Sequence, residues 1–192
     1  FNEILNNESF KIKVVNAGCA IKSHPTQALT DYYTLKRHYS SLNGKTIAIV
    51  GDIMHSRVAK SDIELFKKLN MNINLIAPPY FQDINIKGVN WYNNLEEGLK
   101  NANAVIALRI QNERINGTVP IIHYVKNYRL DPNNFPKNAL LLHPGPQNRD
   151  IEVSNELLNT KNANTILEQV ANGVYVRMAI LEKMLKDDNE TD

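Results

Sequence analysis

Cysteine is nearly absent from this sequence: Cys19 is the one thiol in 192 residues. A single cysteine excludes an intrachain disulfide, and the reading it favours is a reducing cytoplasm. Free cysteine favours the interior, so Cys19 is expected as a small buried residue rather than a nucleophile. Long apolar runs are missing too. None approaches the roughly 18 residues of a membrane span, and the amino-terminal stretch does not read as a signal peptide. Charge of one sign is not in excess. The 22 Lys and Arg against 20 Asp and Glu leave a net +2, and the basic residues are scattered, which argues against nucleic acid or a polybasic membrane contact. The phosphate-cradling patterns G-x-G-x-x-G and G-x-x-x-x-G-K-[ST] are absent, so nucleotide binding is not expected. The five histidines form no H-E-x-x-H or paired Cys/His pattern, so no metal is expected.

What is present is a core's worth of apolar residues, 43% of the chain, in runs that alternate with helical patterns. "KIKVV" (11–15), "TIAIV" (46–50), "NINLIA" (72–77), "AVIAL" (104–108) and "ALLL" (139–142) read as strands, with a weaker one at "VNW" (89–91). Helices are expected over 25–40, 56–69, 95–102, 121–128 and 165–185, with loop over 131–137 and a fraying tail. Pro25 suits a first helical position behind His24, and Asn70 is a natural stop. Uninterrupted apolar strands alternating with helices predict an α/β fold, a parallel sheet with helices on both faces. Asparagine is frequent, but apolar periodicity persists through the Asn-rich parts, so they are read as folded.

In such sheets ligands bind beyond the carboxyl ends of the strands. Three polar clusters follow strands here: "GDIMHSR", "RIQNER" and "HPGPQNR". Each carries an arginine, Arg57, Arg109 and Arg149. Taken singly each is a surface residue. Together they point to an anionic ligand, because a guanidinium meets carboxylate or phosphate with two parallel bonds. Ser56 and Arg57 also open a helix, where free N–H groups favour anions. His24 admits two readings: a plain helix cap, or a donor that faces a carbonyl or phosphate beside Gln27. His38 and His123 fall within helical patterns and read as surface residues. Ser56 has no Ser–His–Asp arrangement beside it. The stretch "LLHPGPQNRD" (141–150) must leave its strand at His143, since proline cannot join the ladder.

The motifs "HPTQALTDYYTL", "GDIMHSRVAKS", "LRIQNER", "LHPGPQNRDIEV" and "EQVANGVYVRMAIL" occur in this order. Together, from about Val14 to Leu181, they closely resemble the catalytic chain of the aspartate carbamoyltransferases. That resemblance implies transfer of the carbamoyl group of carbamoyl phosphate to L-aspartate in pyrimidine biosynthesis, without cofactor or metal. It implies that His24 and Gln27 contact the carbamoyl group and that His24 is the catalytic residue. Arg57 and Arg109 would bind aspartate, with Gln111 nearby and Glu113 orienting the arginine. Gly145 and Pro146 would present backbone to carbamoyl phosphate. It further implies a cytoplasmic homotrimer with sites at subunit interfaces, and regulatory or dihydroorotase-like subunits as candidate partners.

The sequence departs from the family in two respects. "NAGCA" (16–20) stands where the family usually has "NAGDG", placing Cys19 and Ala20 where Asp and Gly are usual. The family's Ser-Thr-Arg-Thr phosphate motif, and a loop lysine that reaches into a neighbouring site, are not in these 192 residues. The expected organisation is therefore a remnant of a carbamoyl-phosphate domain over 1–40, a Rossmann-like aspartate-binding domain over 41–163, and a returning helix over 164–192. Apolar faces on helices 25–40 and 165–185 are expected to be exposed, and the isolated chain is expected to be inactive. Two other readings remain. Ornithine carbamoyltransferase shares the fold, but its substrate's ammonium calls for a carboxylate rather than a second arginine. A non-catalytic, carbamoyltransferase-like assembly module is the other.

Overall fold

The structure, a computed structural model, describes residues 13–19, 22–111 and 120–186. Its centre is a five-stranded, wholly parallel sheet. The strands are β1 (Thr46–Val50), β2 (Asn72–Ile76), β3 (Asn90–Tyr92), β4 (Ala104–Ala107) and β5 (Leu140–Leu142), in the order β3-β2-β1-β4-β5. The register runs Ile47 to Ile73 and Ala104, and Val105 to Leu141. Every residue of β4 is buried, as are four of the five in β1 and in β2. A strand buried on alternating sides along its whole length has both faces covered, which is why these runs read as continuously apolar.

The helices are α1 (Pro25–His38), α2 (Arg57–Lys68), α3 (Leu95–Gly98), α4 (Ile121–Tyr128), α5 (Asn155–Leu158) and α6 (Asn164–Lys186). Several starts have a local cause. Pro25 occupies the first turn of α1. Ser56 Oγ accepts from Ala59 N at the head of α2, and Ser154 Oγ accepts from Leu157 N at the head of α5, each satisfying one of the free donors of a first turn. α2 stops where Asn70 takes a φ of +53°. α3 is a single turn rather than the eight residues expected, because the chain reverses through Asn101 at φ +62°. Gly98 lets α3 lie directly on β2, since a Cβ there would sit 2.4 Å from Ile76 Cγ1.

α1 packs against α2 and α6, and α6 also meets β5. Glu168 ties α6 to the end of α1, accepting from Arg37 Nε and pairing with His38 Nε2, both at 2.7 Å. The apolar stripe of α6 is exposed as expected: Leu167 is 74% exposed and Leu185 69%, with Val170, Val174, Met178 and Leu181 between them. Ile166 is the exception and belongs to the core. On α1, Leu29 and Tyr33 are partly exposed. No helix among the described residues is long and apolar enough to cross a membrane.

Two expectations fail near the amino terminus. Lys13–Val15 is irregular rather than a strand, and Lys11 and Ile12 lie outside the described residues. Cys19 is exposed, not buried. It sits in a reversal held by its own backbone bonds to Ser23, and among the described residues no strand lies beside it. The expected fraying of 187–192 also falls outside the described residues.

Candidate functional site

From β1 the chain winds outward through β2 to β3, then crosses back to β4 and β5. The switch in direction lies between β1 and β4, and the carboxyl ends of those strands leave a crevice there. A cavity of about 160 Å³ occupies it, lined by His24 and Gln27, by Ser56, Arg57 and Val58 after β1, by Leu108, Arg109 and Gln111 after β4, and by Pro144, Gly145 and Pro146 after β5. Seven of the residues singled out in the sequence thus meet in one place. Glu113 and Ala20 lie outside the described residues. Arg149 does not join the site. It is exposed, in a turn that carries it past the strand end, where Asp150 takes a φ of +62°.

Each wall is held by bonds from behind. Arg57 is the first residue of α2, fixed by the Ser56 cap. Its guanidinium lies against Gly18, so closely that a Cβ on Gly18, at φ +135°, would come within 2.9 Å of Arg57 Cζ. Gly18 of the "NAGCA" stretch therefore forms a floor beneath Arg57. Gln111 is fixed at both ends, its backbone N donating to Asp52 Oδ2 at 3.4 Å and its Nε2 to the His55 carbonyl at 3.2 Å. Asp52, fully buried, also accepts from His55 N and pairs with His55 Nδ1 at 2.8 Å. Glu152 ties two loops together: Oε1 accepts from Ile110 N and Asn148 Nδ2, and Oε2 from Asn148 N. Burial raises the Glu152 pKa, against the pull of those donors.

His24 stands at the head of α1, but its side chain makes no cap bond, so the plain-cap reading fails. Its backbone N donates to Ser61 Oγ at 2.8 Å, and its Nδ1 lies 3.3 Å from Thr26 Oγ1. Burial, then the charges of Arg57 and Arg177, push its pKa below the ordinary value. The imidazole is therefore neutral near pH 7, with one N–H to give. Gln27 gives one N–H of its Nε2 to Asp31 Oδ1 at 2.8 Å, which turns the amide nitrogen towards Asp31 and leaves the amide oxygen as an acceptor.

The Pro144–Pro146 wall offers acceptors only. Two of its three residues are prolines without an N–H. The third N–H, from Gly145 at φ +67°, goes to His143 Nδ1 at 2.9 Å. That bond places the His143 proton on Nε2. Burial, then Arg109, lower the His143 pKa to about 4. The cavity thus combines two guanidinium groups, one neutral donor and a wall of acceptors. No Asp or Glu is among its described lining residues.

Residues 43–184 match the family described as "Aspartate/ornithine carbamoyltransferase, Asp/Orn binding domain". The chain belongs to that family. A relative named aspartate carbamoyltransferase catalytic subunit, from Sulfurimonas denitrificans, is 40% identical over 188 residues, covering 96% of this chain and 63% of the relative. Among solved structures, the catalytic subunit of M. jannaschii aspartate transcarbamoylase superposes with a TM-score of 0.77 at 26% identity, over 92% of this chain and 60% of that one. Aspartate transcarbamoylase from Trypanosoma cruzi, in complex with aspartate and phosphate, gives 0.71 at 27% identity, over 86% and 55%. The chain therefore spans about three fifths of the length of the relatives it matches.

The sequence did not single out Asp31, Asp52, Glu152 or Arg177, all of which bear on the site. The burial of the carboxylates is not legible from their neighbours, since Asp31 stands in "LTDYY", Asp52 in "VGDIM" and Glu152 in "DIEVS", where a carboxylate passes for solvent-facing. Arg177 lies on an exposed turn of α6, yet lines a second cavity of about 190 Å³ with Gln27, His143 and Pro144.

Proposed function

We propose that this chain carries the aspartate half of an aspartate carbamoyltransferase site, which converts carbamoyl phosphate and L-aspartate to N-carbamoyl-L-aspartate and phosphate. The observation that carries the reading is the pairing of Arg57 and Arg109 with an acceptor-only wall, and no carboxylate among the described lining residues. Two guanidinium groups suit the two carboxylates of aspartate. A wall of carbonyls and the Gln27 amide oxygen suit an NH2 group. A side-chain ammonium, as in ornithine, would find no anionic partner there.

In this reading the amine of aspartate attacks the carbamoyl carbon. The C=O oxygen gains charge as the C–N bond forms, and the C–O bond to phosphate then breaks. The departing phosphate takes the amine proton. No covalent nucleophile is required, and the protein's work is positioning and charge stabilisation. His24 donates to the developing oxyanion. Gln27, Gly145 and Pro146 hold the carbamoyl NH2, Arg57 and Arg109 hold aspartate, and Gln111 keeps the Arg109 loop in place. Glu113 is assigned to orienting the arginine.

The same reading extends to organisation. Residues 41–163 form the aspartate-binding domain, 1–40 belong with a carbamoyl-phosphate domain, and 164–192 return to it. The assembly is a cytoplasmic homotrimer with sites at subunit interfaces, open to regulatory or dihydroorotase-like partners and without a cofactor. The resemblance of the five motifs supports this extension. The test is formation of carbamoyl-aspartate by the full-length natural protein, measured against L-ornithine as alternative acceptor. Turnover with aspartate alone is expected. Preference for ornithine, or no turnover of either, would overturn the reading, and the second result would favour an assembly module.

A further inference from the structure

Behind the cavity, where α1, α2 and α6 meet, lie two carboxyls that the proposed reaction does not use. Asp31 and Asp62 are both completely buried. Asp31 Oδ1 accepts from Gln27 Nε2 at 2.8 Å and from Gln169 Nε2 at 2.6 Å. Gln169, on α6, passes the contact on: its Oε1 accepts from His143 N at 2.9 Å. His143 Nδ1 in turn accepts from Gly145 N. One oxygen of Asp31 is therefore linked to both sides of the cavity, directly to Gln27 and through a chain of three bonds to the Pro144–Pro146 wall.

The other oxygens define the second half of the device. Drawn as two ions, the pair leaves Asp31 Oδ2 and both Asp62 oxygens buried without a partner. Two carboxylates in contact in a dry interior cannot both stay ionised. Burial followed by the Asp31 charge pushes the Asp62 pKa well up, and burial raises that of Asp31. One proton on Asp62 resolves the conflict, and Asp31 remains the acceptor that its two glutamine donors require.

We infer that Asp31 is a positioning residue of the carbamoyl side of the site: with Asp62 as its proton-bearing support, it fixes which end of the Gln27 amide faces the cavity and holds the Pro144–Pro146 wall at the matching distance. An amide is nearly symmetric in shape, so nothing but its hydrogen bonds decides which end points outward. With Nε2 bound to Asp31, the oxygen is presented. Were Asp31 lost, the amide could turn its NH2 inward, and an acceptor for the substrate would become a donor against it. Arg57 and Arg109 hang from α2 and from the loop after β4, and the bonds from Asp31 to Gln27, and through Gln169 to His143, do not run through them. The inference rests on the functional reading above for its effect on substrate, but not for the network itself.

Two measurements separate these. In the full-length protein, Asp31→Ala should raise the carbamoyl phosphate KM by about tenfold or more, the worth of a charge-assisted hydrogen bond, with the aspartate KM close to wild type. Asp31→Asn keeps a carbonyl oxygen for both glutamines and should restore most of the loss. An unchanged carbamoyl phosphate KM, equal rises in both KM values, or failure of Asn to rescue would each overturn the inference. Should Asp31→Ala not fold, or the wild type not turn over, hydrogen exchange of the ligand-free protein decides. Gln169→Met should speed exchange of the His143 amide by at least about tenfold while β1 amides keep their rates, and an unaltered His143 rate would refute the network.

Discussion

His24→Ala separates a donor to the reaction from a structural cap. The backbone N–H of His24 reaches Ser61 Oγ at 2.8 Å, and alanine makes that bond equally well. The imidazole caps no backbone N–H of α1, and its one side-chain contact there is Nδ1 to Thr26 Oγ1 at 3.3 Å. The usual loss of about 1 kcal/mol for removing a cap therefore has no source here, and the melting midpoint should move by less than about 2–4 °C. The catalytic loss has a clear source. The neutral ring lines the cavity beside Arg57 and Gln27, and removing one oxyanion donor typically costs about 10²–10³ in kcat, or ~2.7–4 kcal/mol. Aspartate KM should change little, because the donor acts mainly in the transition state. The assay is initial-rate formation of carbamoyl-aspartate by the full-length protein, with a melting curve on the same preparation. A near-normal kcat, or a fall in kcat matched by a large drop in midpoint, would refute the assignment.

Arg109→Lys keeps the charge and loses the fork, so aspartate KM should rise by about tenfold or more; an unaltered KM would show that two-pronged geometry is not used there. Arg57→Ala should weaken aspartate more than carbamoyl phosphate, as seen in the two KM values, and the reverse order would contradict the placement of aspartate on that wall. The His143 pKa of about 4, against 6.5 in the unfolded chain, also has a consequence for stability. Between those values the unfolded state binds a proton that the folded state refuses, so stability present above pH 6.5 is lost as pH falls towards 4, by up to about 3 kcal/mol. Urea titrations of wild type and His143→Gln across that window should diverge in this sense. The raised pKa of Asp31, about 7, contributes a slope of opposite sign to both proteins, so a flat difference curve would count against His143.

The sheet was legible because its strands are buried on both sides and so are written as unbroken apolar runs, as in Thr46–Val50 and Ala104–Ala107. The location of the site was legible for a related reason: after such a run, an arginine or histidine stands out. What lies behind the site was not. Asp31 falls within "LTDYY" and Glu152 within "DIEVS", where either would pass for a surface residue, and only three-dimensional packing shows that they are buried. Arg149 misled for the opposite reason. It follows the end of its strand at the same spacing as Arg57, but the turn around Asp150 sends it to solvent. Cys19 misled because a preference for the interior has no force in a reversal held by polar bonds of the backbone and of Asn16.

The acceptor-only wall also decides which molecules the proposed site turns away. Acetyl phosphate has nearly the outline of carbamoyl phosphate, with a methyl group where the amino group stands. A cavity selecting by shape alone would admit both. Against Pro144, Gly145, Pro146 and the Gln27 oxygen, the methyl group leaves carbonyls desolvated and unanswered, and no N–H in that wall can turn to compensate. Sites built to bond a polar group reject an analogue lacking it by about 10⁴–10⁵. Two prolines and a glycine whose one donor is already spent would thus act as a filter against acyl phosphates, working through what the backbone is unable to give.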